Sequence, residues 1–176
     1  MRRALDRHFS AASGRFEAHL PGDQCAALRE ICRNAGRRET GGVLVGSYSK
    51  DLRVALISEV VGPAADSVGG RYTFSRGVKG LGARLLQLWK ARKYYLGEWH
   101  YHPYASPAPS PQDARQMFDI ASSERAKCPE ALLIVVGGDP ESDLMLHVEL
   151  FTRAGERHLL PERHTDAASP GGRPGA

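Results

Sequence analysis

Two histidines and an aspartate have the types and spacing of metal ligands. His100 and His102 lie two residues apart, and Asp113 follows eleven residues after the second histidine. In an extended strand the side chains of residues i and i+2 point to the same face, so both imidazoles can reach one ion while Tyr101 points away. Three protein ligands that leave a fourth position to water are typical of catalytic zinc. The pattern therefore predicts a catalytic zinc site of His100, His102 and Asp113.

Each half of this pattern also has a purely structural explanation. An isolated His-x-His pair is often no more than two partly exposed strand residues. Ser110, Pro111 and Asp113 fit the start of a helix, with serine as the N-cap, proline at the first helical position and an acid at the third. The two interpretations are compatible, because a helix start is a rigid place from which to present a carboxylate. Their joint occurrence favours the metal site.

Elements that alternate between helix and strand must position these residues. Apolar residues at helical spacing predict helices over 22–34, 78–93 and 110–127. Alternating or continuous apolar runs predict strands at 16–20, 41–47, 52–61, 94–102, 131–136 and 144–151. The chain therefore has the pattern of an α/β fold.

The connections and helix faces can also be predicted. The strands 41–47 and 52–61 are expected to form a hairpin through a Ser-Lys-Asp turn, and the glycine-rich stretch 62–71 is expected to be a loop. The second helix is expected to bury one apolar face made of Val78, Leu81, Leu85, Leu88 and Trp89.

Length and composition predict one domain followed by a tail. The chain has 176 residues, of which 41% are hydrophobic, which is enough for one substantial core. We assign residues 1–155 to the domain and 156–176 to a C-terminal tail. Within the tail, Asp166 to Ala176 is rich in small residues, glycine and proline, so we expect that part to be disordered.

Several classes of protein are disfavoured. No apolar run approaches the length of a membrane span and no signal peptide is evident, so we expect a location in the cytoplasm. The net charge of +4 is weakly basic, and no aromatic residues interleave with the basic clusters, so nucleic-acid binding is not expected. Cys25, Cys32 and Cys128 form no Cys-x-x-Cys pair and are expected to be reduced thiols. The remaining histidines lack metal spacing and are expected to be surface or core residues: His8, His19, His147, His158 and His164.

Three short motifs stand in a recognisable order: Glu39-Thr40-Gly41-Gly42, His100-Tyr101-His102-Pro103 and Ser110-Pro111-Gln112-Asp113. Together they resemble the JAMM signature of the JAB/MPN (Mov34) metalloproteases, over about residues 20–150. The resemblance implies a single JAB1/MPN, cytidine-deaminase-like domain with a mixed central sheet flanked by helices. It also implies that His100, His102 and Asp113 bind zinc, that Glu39 is the general base, and that Ser110 helps to hold the oxyanion.

The chemistry agrees with these roles. Zinc lowers the pKa of bound water from about 15.7 to near 7 and polarises a carbonyl. A carboxylate near that water can pass its proton to a leaving amine, which is worth roughly 10²- to 10⁴-fold. Glu39 is the candidate, and Glu98 is its competitor because it lies two residues before His100 on the same side of the strand. We favour Glu98 as a supporting or surface acid, since a base must not crowd the ligands.

The expected substrate is a protein with an extended C-terminal tail. Gly41 and Gly42 have a structural explanation as a strand start or bulge. They are also candidates for substrate binding, in which a tail pairs as an added strand along 41–45. The form Gly97-Glu98-Trp99 resembles small bacterial JAB proteins encoded with ubiquitin-like conjugation machinery, including deconjugases of CBASS antiphage operons. This implies a zinc isopeptidase or peptidase acting on a ubiquitin-like protein or a conjugated nucleotide cyclase.

Three alternatives remain. A metal-free MPN scaffold would only bind partners, but it would have no need of the intact triad. A RadC-like JAB protein linked to DNA would share the same motifs behind a helical nucleic-acid-binding segment, whereas only about twenty residues precede the first predicted helix here. A protease that trims sulfur-carrier proteins would use the same chemistry on a different tail.

Overall fold

The fold is built on one mixed eight-stranded sheet in the computed structural model, which describes residues 4–51, 53–142 and 144–163. Its strands are β1 (Arg7–Ser10), β2 (Glu17–Leu20), β3 (Thr40–Tyr48), β4 (Val54–Val61), β7 (Tyr94–Tyr101), β8 (Glu130–Gly138), β9 (Leu144–Thr152) and β10 (Arg157–Leu159). A separate two-stranded hairpin consists of β5 (Val68–Gly69) and β6 (Phe74–Ser75). The helices are α1 (Gly22–Ala35), α2 (Leu81–Lys90) and α3 (Pro111–Ser122).

The strand order places the candidate ligand strand near the centre of the sheet. The order is β1-β2-β4-β3-β7-β8-β9-β10, with β2 parallel to β4 and β7 parallel to β8, and the other neighbours antiparallel. This arrangement confirms the α/β class and the mixed sheet. It also corrects one expectation: β3 pairs with β7 over 40–46 and with β4 over 43–48, so residues 43–45 offer no free edge to a tail.

The two faces of the sheet are covered by different helices. On one face Leu28 and Cys32 of α1 share a buried cluster with Trp99 and Tyr101 of β7. On the other face Met117 and Ala121 of α3 pack with alternate residues of β8 and β9, namely Leu133, Val135 and Phe151. Since successive side chains of β7 point to opposite faces, Trp99 and Tyr101 enter the core on the α1 side, whereas His100 faces α3.

Three local expectations need correction. Val78 precedes α2 and is 69% exposed, and Trp89 is 62% exposed, so the buried face of α2 consists of Leu81, Leu85 and Leu88. The third helix ends at Ser122 rather than near residue 127. The stretch 62–71 is not wholly a loop, because β5 lies within it and pairs with β6.

Short strands at both ends of the described chain were not predicted. β1 pairs with β2, and β10 pairs with β9. The segment 156–163, which the sequence analysis assigned to the tail, therefore adds to the sheet. Leu160 is buried, and Glu162 forms an isolated antiparallel β-bridge with Phe9. The predicted disorder of residues 166–176 lies outside the described residues. No helix among the described residues is long and apolar enough to cross a membrane.

Candidate metal centre and active site

The structure brings His100, His102 and Asp113 together. His100 belongs to β7, and His102 follows the strand directly, with its backbone N–H donating to the carbonyl oxygen of Val136 at 2.8 Å. Asp113 lies in the first turn of α3, and its Oδ2 is 3.6 Å from His100 Nε2. One potential ligand atom from each of the three side chains lies within 4.8 Å of the others. The group can therefore hold one metal ion.

His100 carries a buried polar atom that has no partner among the described residues. Its Nε2 makes no hydrogen bond among the described residues, and the 3.6 Å to Asp113 is too long for one. A buried polar atom without a partner costs free energy, so it calls for an explanation. Burial lowers the pKa of His100 to about 4, against the opposing effect of Asp113 and with a smaller contribution from His102. The ring is thus neutral at pH 7, the form that binds a metal, and two imidazoles with one carboxylate fit zinc.

The start of α3 fixes the Asp113 carboxylate. The Asp113 backbone N–H donates to Ser110 Oγ at 3.2 Å, and the Ser110 backbone N–H donates to Asp113 Oδ2 at 2.6 Å. Pro111 occupies the first helical position, where no backbone donor is needed. This reciprocal capping box agrees with the helix start predicted from the sequence. Asp113, whose carboxylate completes this capping box, is also the residue that faces His100.

Glu39 and Ser110 line the same cavity as the triad, which has a volume of about 640 Å³. Glu39 lies immediately before β3, and its backbone N–H donates to the carbonyl oxygen of Gly70 at 2.8 Å. Burial raises the pKa of Glu39 above its ordinary value, while His102 lowers it and Asp113 raises it. A raised pKa suits a carboxylate that must take up a proton near neutral pH. The roles of Glu39 and Ser110 remain predictions.

Glu98 also lines this cavity, but its carboxylate is already engaged. It accepts hydrogen bonds from Gln116 Nε2 at 2.5 Å and from the Tyr95 hydroxyl at 3.2 Å, and it pairs with Arg76 Nη2 at 2.8 Å. Sequence reasoning identified neither Arg76 nor Gln116. Gln116 lies three residues after Asp113 on the same helix face, which could have indicated it. Arg76 follows the β5–β6 hairpin and carries no local signal.

Gly41 and Gly42 are required by packing. They pair with His100 and Trp99 across β3 and β7. A Cβ atom at Gly41 would lie 2.5 Å from the carbonyl oxygen of Trp99, and one at Gly42 would lie 1.9 Å from that of Val61. Both glycines thus allow neighbouring backbones to approach closely. Their contact with a substrate remains a prediction.

Comparisons with known proteins agree with this architecture. The Prok-JAB family model, described as prokaryotic homologs of the JAB domain, matches residues 23–148. A CD-NTase/cGAS isopeptidase of Enterobacter hormaechei subsp. hoffmannii (strain UCI 50) is 47% identical over 84% of this chain and 82% of that protein. A probable metalloprotease of Sinorhizobium fredii (strain NBRC 101917 / NGR234) is 31% identical over 59% of this chain and 65% of that protein.

A solved structure shows the same fold. The solution structure of a protein from Desulfitobacterium hafniense aligns with a TM-score of 0.56 and 19% identity, over 80% of this chain and 86% of that chain. The family match covers the helices and strands that carry the triad, from α1 to most of β9. The chain therefore belongs to the family of prokaryotic JAB-domain proteins.

Proposed function

We propose that this chain is a zinc-dependent isopeptidase that cleaves the amide bond at the C-terminus of a protein with an extended tail. The observation that carries the proposal is the buried His100 Nε2, which lies beside His102 and Asp113 and has no hydrogen-bond partner in the part of the chain that the structure describes. The names of the relatives support it, because one is an isopeptidase and another a probable metalloprotease. A scaffold that only bound partners would gain nothing from leaving this nitrogen unpaired.

The chain would hold zinc through His100, His102 and Asp113. Zinc supplies a lower pKa for its bound water and polarisation of the scissile carbonyl. The Glu39 carboxylate takes the proton of the attacking water and passes it to the nitrogen of the leaving amine. Its raised pKa favours the first transfer, and its place in the same cavity allows both.

Ser110 is suited to donate to the substrate oxygen. Its Oγ accepts from the Asp113 backbone N–H, which leaves the hydroxyl hydrogen available to another acceptor. A carbonyl oxygen that gains negative charge during attack is such an acceptor. Ser110 is exposed at the cavity, so a substrate reaches it without a change in the helix start.

A second cavity beside that of the triad supports an extended tail as the substrate. A smaller cavity of about 230 Å³ shares Gly42 and Arg76 with the cavity of the triad. Six of its thirteen lining residues are glycine or alanine, namely Gly42, Gly62, Ala64, Ala65, Gly77 and Gly80, and its lining also includes three cationic side chains, Arg76, Lys79 and Arg84. A tail that ran through it past Gly42 would bring its last residue to the triad. Since β3 has no free edge over 43–45, contact with β3 would be confined to its first three residues, Thr40, Gly41 and Gly42, which pair with β7 only.

The tail of a CD-NTase is the substrate that we favour, because the relative from Enterobacter hormaechei is named a CD-NTase/cGAS isopeptidase. Removal of such a protein from a conjugate in an antiphage system of the bacterial cytoplasm is the biological setting that we propose. Trimming of a sulfur-carrier protein would use the same residues, and the choice of tail in the experiment distinguishes the two.

The test is cleavage of a CD-NTase joined through its C-terminal carboxyl to a fluorescent protein, with product masses measured by mass spectrometry. We expect purified protein to hold about one zinc per chain and to cut after the last residue of the tail. A chelator should abolish cleavage and added Zn²⁺ should restore it. His100→Ala and Asp113→Ala should lose both metal and cleavage.

Two outcomes would contradict the proposal. Active protein that resists the chelator and contains no transition metal would exclude the metal mechanism. Cleavage of a sulfur-carrier tail in preference to the CD-NTase tail would exclude the proposed substrate while leaving the metal mechanism intact. His147→Ala is a suitable control, since His147 lies outside the cavity of the triad and contacts Glu149 instead.

A further inference from the structure

A second group of metal-ligand side chains lies on the hairpin of β1 and β2, outside the candidate active site. Within the described residues, Asp6, His8 and His19 each offer one ligand atom, and these atoms lie within 4.8 Å of one another. The two imidazole rings stack at 4.3 Å between centroids with an interplanar angle of 8°. His8 and His19, which the sequence analysis assigned to surface or core roles, are thus brought together by strand pairing.

The register of the hairpin explains the assembly. His8 and His19 are directly opposite each other in the antiparallel pair. Asp6 lies immediately before β1 and two residues before His8, and its ligand atom lies within 4.8 Å of those of His8 and His19. Two ligands at i and i+2, one on a strand and the other next to its end, with a third from a neighbouring element, are also the arrangement of His100, His102 and Asp113. Here the third ligand, His19, comes from a strand, whereas Asp113 comes from a helix.

The Asp6 carboxylate is held in place from outside the hairpin. Its Oδ1 accepts the backbone N–H of Gly22 at the start of α1, at 2.8 Å. Its Oδ2 lies 3.4 Å from His19 Nε2. One oxygen is therefore used for anchoring and the other is directed at the histidines. Only glycine fits at position 22 beside this anchor, because a Cβ atom there would lie 1.9 Å from the carbonyl oxygen of Ala4.

This face of the hairpin is open to solvent. Phe9, Ala18 and Leu20 point into the buried core, so His8 and His19 lie on the opposite face. Leu56 is opposite His19 on the next strand and is 38% exposed, so the described residues leave this part of the face accessible to solvent. Water can therefore complete the coordination of an ion, and the side chains have room to adjust.

We propose that Asp6, His8 and His19 form a second site for a divalent transition metal ion such as Zn²⁺, which ties β1 to β2 and to the start of α1. Two imidazoles and a carboxylate are suitable ligands for Zn²⁺, Ni²⁺ and Cu²⁺. The site is more exposed than the triad, so it binds more weakly and fills when metal is added. A metal here stabilises the edge hairpin, because it binds the folded register of β1 and β2 and not the separated strands.

The experiment is titration of untagged, metal-stripped full-length protein with ZnCl₂ by calorimetry, together with NMR of the histidine rings. We expect wild-type protein to bind two equivalents, and His8→Ala and His19→Ala to bind one. Loss of a ligand should weaken the affinity for the second equivalent of Zn²⁺ at least about tenfold. Removal of a residue that only supports a ligand already weakens metal binding by about 10- to 100-fold. The matched control His147→Ala should bind two equivalents, because its histidine has an acid neighbour but lies outside the cluster.

A further variant separates this site from the proposed active site. His100→Ala should lose the tighter equivalent and keep the weaker one. In wild-type protein the second equivalent of Zn²⁺ should shift the ring resonances of His8 and His19 and leave those of His147 unchanged, so the test does not depend on any variant folding. Binding of equal amounts by His8→Ala, His19→Ala and His147→Ala, or unchanged His8 and His19 resonances, would overturn the proposal.

Discussion

The Arg76 guanidinium pairs with the Glu98 carboxylate beside the candidate metal centre, with Nη2 2.8 Å from Oε1. The same carboxylate accepts a hydrogen bond from Gln116, which lies one turn after Asp113 on α3. One buried acid therefore joins the segment after β6, the strand that carries His100 and the helix that carries Asp113. Burial raises the pKa of Glu98, and Arg76, Tyr95 and Gln116 oppose that rise.

This relationship predicts a non-additive effect on stability. Glu98→Ala should lower the free energy of unfolding by about 2 kcal/mol, because it leaves the Arg76 guanidinium partly buried without its partner. The value is below that of a fully buried pair since the Arg76 side chain remains 26% exposed. The double variant Arg76→Ala/Glu98→Ala should lose less than the sum of the two single changes. Urea denaturation of all three variants measures this, and simple additivity would contradict it.

Substitutions of the two candidate bases, Glu39 and Glu98, should have different effects on turnover and stability. Glu39→Gln should keep the zinc and the stability but lower kcat by roughly 10²- to 10⁴-fold, because only the proton transfer is removed. Glu98→Ala should be the less stable of the two and retain far more turnover at a temperature where it is folded. Metal analysis and kinetics on the tail fusion check this. A dead Glu98 variant beside an active Glu39 variant would reverse the two assignments.

Ser110 should contribute to both capping and catalysis, and two substitutions distinguish these roles. Ser110→Ala should cost about 1 kcal/mol of stability through loss of the N-cap, whereas Ser110→Gly should cost only a few tenths. Both remove the hydroxyl, so both should lower kcat by a similar factor, about 10²-fold or more. Equal activity of Ser110→Gly and wild-type protein would show that the hydroxyl serves only the helix.

The residue before the scissile bond should be small. Phe74 closes over the start of β3, since a Cβ atom at Gly41 would lie 2.8 Å from Phe74 Cε1. Tails that end in Gly or Ala should be cleaved, and tails that end in Leu or Trp should be cleaved at least about tenfold more slowly, a difference of about 1.4 kcal/mol. Phe74→Ala should restore part of the cleavage of the Leu tail. Equal kcat/KM for Gly, Leu and Trp tails would place the tail elsewhere.

The thiols should be unreactive in the native protein. Burial raises the pKa of Cys32 and Cys128 to about 12 and that of Cys25 to about 11. Because the thiolate is the nucleophile, native protein at pH 8 should react slowly with a disulfide reagent. Denatured protein should react quickly at all three cysteines. Fast reaction of Cys32 or Cys128 in folded protein would contradict this prediction.

Features that depend on neighbours along the chain could be predicted from the sequence. The i, i+2 spacing of His100 and His102 sets both side chains on one face of whatever strand they occupy. Ser110 and Asp113 specify a capping box through bonds that span three residues. The continuous apolar run at 131–136 indicates a strand covered on both faces, as β8 is. In each case the deciding contacts are local, or the pattern itself reports the burial.

Other features depend on which strands become neighbours, and no local pattern encodes that. β1 and β10 are too short, at four and three residues, to show a period, and they form because β2 and β9 offer them edges. The partnership of Arg76 with Glu98 and the assembly of Asp6 with His19 each join distant residues. The sequence by itself determined the spacing of the candidate ligands and the helix that presents Asp113. Only the tertiary structure decided that β3 lies between two strands and which side chains surround the ligands, because strand order and register are set by packing of the whole sheet.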